Sequence, residues 1–332
     1  MRYLNVALAS ALALAGSPLL AQQGEEARKD SVQAMDAGRW ITLGTRAGPV
    51  PSPTRSQPAN LLVAGGKNIL VDAGDGTAGR LIQVGVPTNR LDAVFISHLH
   101  WDHTGGLAAI LGLRVQTSAS SPLAIYGPPG TGEMVAGLLA SMEPGNTAGY
   151  GVPGALRPSL ADITEVTELR DGDKVDYAGM TVSVRNNTHY SFAADSGLAE
   201  RFESLSFRFD LPGRSIVYTG DTGPSAAVEE LAQGADLLVA EMMDVEDTIA
   251  TVRLQAPNMP APALMGMERH LREHHLLPGD VGELASRAGV GAVIVTHFAG
   301  RERGDPVHLE YLRQIAEHFD GPVVIANDLD EF

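Results

Sequence analysis

Four of the six residues from 98 to 103 are of metal-ligand type: His98, His100, Asp102 and His103. Imidazole nitrogens and a carboxylate suit a borderline divalent cation such as zinc. The alternation of His98 and His100 lets both turn toward one ion, whereas Asp102 and His103 project differently and are better placed for a second. A polar loop with incidental histidines is the plainer reading, but four such groups so close together resist burial without a metal.

The elements that must hold this cluster are legible around it. The apolar run 91–97 predicts a buried strand, and Thr104-Gly105-Gly106 opens a helix over 107–113, so the ligands stand at the carboxyl end of a strand. Three later strands end in the same way: 180–184 leads to His189, 215–219 to Asp221, and 292–296 to His297. Taken singly, each of these is a common cap or surface residue, but four strands that all end in ligand types make a constellation. Upstream, 40–43 reads as a strand, and 61–64 with 68–72 reads as a hairpin through Gly65-Gly66-Lys67. Antiparallel strands before any strand–helix alternation argue against a purely doubly wound sheet. Helices are expected over 133–142 and 281–288. The Gly- and Pro-rich stretch 143–163 reads as a mobile loop over the site. Residues 254–267, where Pro257, Pro260 and Pro262 oppose a regular helix, could cap the pocket or meet a partner subunit in a homodimer.

With 332 residues, 44% of them hydrophobic, the chain can bury a substantial core. Residues 1–21 have the charged start, short apolar middle and small final residue of a secretory signal, with cleavage expected after Ala21. A transmembrane anchor is the competing reading, but Ser10, Gly16, Ser17 and Pro18 break the apolar run. Residues 22–37 form an exposed lead-in, and 38–332 one folded domain. The chain has no cysteine, so neither a disulfide framework nor a lipid-bearing cysteine is possible, and a periplasmic or secreted location is expected with no membrane attachment after cleavage. The formal net charge is −16, without a Lys/Arg-rich run, so a nucleic acid is not expected as partner and a small-molecule ester is.

The full constellation resembles the metallo-β-lactamase-fold hydrolases over about residues 40–330. The resemblance rests on Val71-Asp72-Ala73-Gly74, His98-x-His100-x-Asp102-His103, His189, Tyr218-Thr219-Gly220-Asp221-Thr222 and Val295-Thr296-His297. It implies an α/β (α+β) fold, a four-layer αβ/βα sandwich with two Zn2+ ions between the sheet edges. Mn2+ or Fe2+ are alternatives to zinc. By the same resemblance His98, His100 and His189 hold the first ion, Asp102, His103 and His297 the second, and Asp221 bridges them. Two ions about 3.5 Å apart need an anion between them, and a hydroxide there would be the nucleophile, oriented by Asp102.

Leu43-Gly44-Thr45, Pro51, Arg55, the loop 72–77 and the pair His275 and His297 look like the ribonuclease Z and arylsulfatase branch. That branch implies a histidine before the helix leading to the last strand, acting on the leaving group. His275 takes that position, with His274 its rival; His270 and His308 read as solvated helix positions. A transfer-RNA processing enzyme would need a basic arm between His189 and Asp221, where only 190–220 intervene. A β-lactamase of this fold would carry Cys or Ser in place of Asp221, and a lactonase would need a tyrosine at the site, for which Tyr190 is the candidate by adjacency. The expected function is therefore an exported dizinc hydrolase of a small sulfate ester or phosphodiester. A lactonase or β-lactamase-like hydrolase is the alternative, and a non-catalytic metal- or ligand-binding protein ranks below both.

Overall fold

Period-two alternation of apolar side chains gives most of the strands two buried faces, and the chain answers with two sheets packed face to face. The computed structural model describes residues 38–48, 50–119, 121–152, 158–193, 195–301 and 307–332; the expected signal and lead-in lie outside the described residues. Sheet one holds β1 (Arg39–Gly44), β2 (Ala59–Ala64), β3 (Lys67–Val71), β4 (Ala93–Phe95), β5 (Leu123–Gly127) and β6 (Thr164–Glu168), in that order. Sheet two holds β7 (Lys174–Tyr177), β8 (Met180–Asn186), β9 (Leu205–Leu211), β10 (Arg214–Tyr218), β11 (Leu237–Met243), β12 (Val293–Ala299) and β13 (Val323–Ile325), again side by side in chain order. In each sheet antiparallel hairpins come first and parallel strands follow: β1 to β3 then β3 to β6, and β7 to β10 then β10 to β13.

Alternation sorts neighbouring residues into different layers. Ile69, Val71, Phe95, Ile216, Tyr218 and Val239 face the space between the sheets. Leu70, Val94 and Ile96 face outward onto the helices Leu107–Gln116 and Thr131–Ala148. Val217, Leu238, Ala240 and Val295 face the helices Pro278–Ala288 and Val307–Ala316. This is the expected four-layer sandwich. The C-terminus covers the free edge of β1, with Trp40 and Phe332 exchanging backbone hydrogen bonds of 3.0 and 2.9 Å. Arg55 is buried and donates to Thr45 Oγ1 and to the Ala326 carbonyl, both at 2.8 Å, tying the loop after β1 to the last segment.

Three expectations change. Residues 143–148 continue the helix Thr131–Ala148, with Pro144 exposed on its solvent side, and the Leu123 N–H donates to the Ile163 carbonyl at 2.9 Å. The punctuated stretch therefore borders the start of β5, whereas the ligand cluster follows the end of β4; residues 153–157 of it lie outside the described residues. Helices also form on both sides of Pro257: Val245–Gln255 and Ala261–Glu273, the second with Pro262 in its first turn, where a missing N–H loses no helical bond. His297 stands inside β12 rather than beyond its end.

Phe95 is fully buried at the centre, stacked on Tyr126 with centroids 4.6 Å apart and edge-on to Phe207 and Phe209. Phe95→Ala is expected to lower the free energy of unfolding by about 3–5 kcal/mol, read by urea denaturation.

Candidate metal centre

Each strand that ends on or holds a ligand-type residue brings it to one common edge of the sandwich, and each delivery is fixed by local backbone chemistry. Asn187, after β8, donates to Ser206 Oγ and the Thr219 carbonyl, both at 3.2 Å, and accepts from the His189 N–H at 3.1 Å. Gly220 precedes Asp221 at φ +58°, and a Cβ there would lie 2.9 Å from the Leu205 carbonyl oxygen and 3.0 Å from Ser97 Cβ. Only glycine fits between the two sheets at this point. On β12 the pairing advances from Val295 to Phe298 while β11 advances only from Ala240 to Met242. The extra residue turns His297 to φ +40°, a conformation rare for a side-chain-bearing residue, and aims its ring at the cluster.

His98 Nε2 and His189 Nε2 each lie 3.1 Å from His100 Nδ1. Three nitrogens bound tetrahedrally to one zinc at about 2.0–2.1 Å would stand roughly 3.3 Å apart. A second group forms around Asp221 Oδ2, 3.2 Å from His103 Nε2 and 3.1 Å from His297 Nε2, with Asp102 Oδ2 at 3.6 and 3.5 Å from the same two nitrogens. The same Asp221 oxygen is 3.8 Å from His98 Nε2 and 3.9 Å from His189 Nε2, so one carboxylate reaches both groups.

On His98, His189 and His103 the outward nitrogen is already committed, so in the neutral ring the inward one is a bare lone pair. Ser97 Oγ donates to Asp72 Oδ2 at 2.7 Å and so accepts from His98 Nδ1 at 3.1 Å. His189 Nδ1 donates to the His274 carbonyl at 3.2 Å, and His103 Nδ1 to Asp72 Oδ2 at 2.8 Å. Among the described residues His103 Nε2, His297 Nε2 and Asp221 Oδ1 are buried without a hydrogen-bond partner. These orphaned atoms belong to the second group, and together with the three close nitrogens of the first they make two donor sets that fit a pair of divalent cations.

Electrostatics points the same way. Burial, with the neighbouring imidazoles, pushes His98 and His189 well below the ordinary histidine value and keeps them neutral, the form a ligand requires. Burial would also lower His103, but Asp221, Asp102 and Asp72 outweigh it and raise it to about 10. His297 is raised in the same way, burial being outweighed first by Asp221. Burial would raise the Asp221 carboxyl, yet His103 and His297 hold it well below the usual carboxylate range. The second group thus draws positive charge to itself, as a proton or as a cation.

Around these ligands stand residues whose roles sequence reasoning left out. Asp72, at φ +59°, accepts from the Ser97 N–H and Oγ, His103 Nδ1 and the Tyr218 hydroxyl, at 2.7–2.8 Å. Buried Glu241 accepts from the Thr222 N–H at 2.6 Å and His275 Nδ1 at 2.7 Å. The signal for both was an acidic residue closing an apolar strand. His275 is buried, its ring 4.9 Å from His189 and 5.9 Å from His297. His274 instead donates to the Thr188 carbonyl at 2.6 Å, which puts it behind His189 rather than in the cluster. His270 leaves the solvated role expected of it and lies 5.1 Å from the His189 ring, while His308 bonds the Arg301 carbonyl away from the centre. Tyr190 does reach the site, with its ring 5.4 Å from His100 and its hydroxyl accepting from the Leu99 N–H at 3.3 Å. Gly48 donates to Asp102 Oδ2 at 2.9 Å, and a Cβ on it would sit 2.4 Å from that oxygen.

Two facing sheets and a buried His/Asp centre at their common edge define a metal-dependent hydrolase of ester bonds. The sequence profile described as Beta-lactamase superfamily domain matches residues 67–298, and the chain belongs to that family. It is 32% identical to a Ribonuclease Z of Mycobacterium avium (strain 104) over 299 residues, 87% of this chain and 96% of that protein. Among solved structures it is similar to the metallo-beta-lactamase fold protein YhfI from Bacillus subtilis, at TM-score 0.63 and 19% identity over 89% of this chain and 98% of that one. It is likewise similar to human tRNase Z, short form, at TM-score 0.61 and 22% identity over 89% and 98%. The expectation that nucleic acid is no partner is corrected by the curated relatives, which match along most of the chain at 32% identity and are named Ribonuclease Z. Net charge misled because it averages over the whole surface, whereas a phosphodiester meets only the local field of the centre.

Asp72→Asn is expected to weaken divalent-metal affinity roughly 10–100-fold by loosening His103, measured by competition with a chromogenic chelator.

Proposed function

We propose that the protein is an exported dizinc phosphodiesterase that cleaves RNA-type phosphodiester bonds. The observation that carries this reading is the single Asp221 oxygen shared by two ligand groups, in a chain whose matched relatives are named Ribonuclease Z. His98, His100 and His189 would hold one ion, Asp102, His103 and His297 the other, and Asp221 both. Such a pair, when bound, supplies a water nucleophile at neutral pH and an electrophile for the phosphoryl oxygen.

The rest of the chemistry belongs to side chains. Asp102, steered by the Gly48 N–H, is positioned to orient the attacking water and take its proton. His275 keeps its Nδ1 proton in a hydrogen bond to the Glu241 carboxylate, which steadies the doubly protonated ring; in that form Nε2 carries the proton that passes to the departing oxygen and leaves the neutral ring behind. His100 is exposed while His98, His103, His189 and His297 are buried, so substrate arrives from the His100 side. The acidic surface favours short substrates, because long ones gain affinity mainly by neutralising phosphates.

The test is a substrate panel on the zinc-loaded protein: bis(p-nitrophenyl) phosphate, a short oligoribonucleotide, an aryl sulfate and a lactone. Phosphodiester turnover that a chelator abolishes and added zinc restores is the expected result; turnover that survives metal removal refutes it. An aryl sulfate turned over faster than either phosphodiester would move the reading to a sulfatase. His275→Ala is expected to lower kcat by about 10²–10⁴-fold on the oligonucleotide, with a much smaller loss on the p-nitrophenyl ester, whose leaving group needs no proton. Export rests on the signal-like residues 1–21. Fractionation of the source cells should recover a chain that begins near Gln22 outside the cytoplasm, and a full-length cytoplasmic chain would overturn it.

A further inference from the structure

Rings continue outward from the metal centre. Tyr190 stands 5.9 Å from His98 and 5.5 Å from His189 as well as against His100. Phe192 follows at 4.9 Å from Tyr190, Phe202 at 6.4 Å from Phe192, and the Arg201 guanidinium lies 4.8 Å over the Phe202 ring. Phe202 is seated close to Gly130, where a Cβ would come within 3.0 Å of it. None of these three aromatic residues belongs to the hydrophobic core clusters of the described residues, and all three are only half-buried. A row of half-buried rings that the core does not use thus starts beside the exposed His100 and ends in an exposed cation.

We propose that Tyr190, Phe192, Phe202 and Arg201 form a stacking subsite for the nucleobase adjoining the scissile phosphodiester. The proposal deepens the phosphodiesterase reading and rests on it for the identity of the reaction. Every base presents a π-face, so aromatic platforms hold nucleotides without choosing a sequence. Arg201 is paired with Glu133 at 2.8 Å, which leaves it a planar face to extend the row rather than a free charge to grip phosphate. Ring stacking supplies affinity that does not depend on phosphate neutralisation.

The experiment compares adenosine 5′-monophosphate with ribose 5-phosphate by calorimetry on the zinc-loaded full chain, as wild type and as Phe192→Leu and Phe202→Leu. Leucine keeps the apolar volume and removes the ring, so folding is preserved. Wild type is expected to bind the nucleotide about tenfold or more tighter than the sugar phosphate. In either variant that preference should collapse, with ribose 5-phosphate affinity unchanged. In parallel, KM for thymidine 5′-(p-nitrophenyl) phosphate should rise while methyl p-nitrophenyl phosphate is turned over as before. Equal affinity for the two ligands in wild type overturns the subsite, as does a preference that survives both substitutions or an equal loss on both esters. A ring-dependent nucleotide preference without phosphodiester turnover upholds the subsite and removes the phosphodiesterase reading instead.

Discussion

Two carboxylates and five imidazoles crowded together, all but His100 and Asp102 buried, set the terms for the rest of this molecule. A buried, unpaired ionised group costs several kcal/mol, and Asp221 with its two short contacts to His103 and His297 is bearable only with positive charge between them. The surroundings are built to keep that arrangement. Asp72 and His297 adopt positive φ, Gly220 and Gly48 stand where no side chain fits, and outward ring nitrogens are tied to Ser97, Asp72 and His274. Backbone strain of this kind persists only where packing over-determines it.

The scaffold supplies the two halves of the centre from two sheets of like design. His98, His100, Asp102 and His103 follow β4 of sheet one, and His189, Asp221 and His297 come from sheet two. The Tyr218 hydroxyl, on β10, donates to Asp72 at the end of β3, so the sheets are fastened to each other directly behind the ligands. Each sheet runs from antiparallel hairpins to parallel strands, yet no repeat is visible in the sequence. Topology depends on where apolar alternation and turns fall, and many side-chain choices satisfy the same alternation.

Charge and substrate operate on different length scales here. The acidic balance of the whole chain is spread over a surface larger than a screening length, about 8–10 Å at ordinary salt, and says little about the field at a buried centre. The side proposed to meet a substrate is that of His100, with Tyr190 and the rings beyond it, and none of these side chains is a carboxylate.

The sequence alone determined the His/Asp constellation, most of the strands that carry it, the four-layer architecture and the family, because periodicity and motif spacing are local and survive without coordinates. It could not separate His274 from His275, since adjacent residues share every local signal. Only the fold turned one toward Glu241 and the other toward Thr188. Nor could it give Asp72 and Glu241 their roles, find the bulge that aims His297, or show that residues 143–163 border the start of β5. Those facts arise from contacts between residues far apart in the chain, and long-range pairing is decided by packing two sheets against each other rather than by any one stretch of sequence.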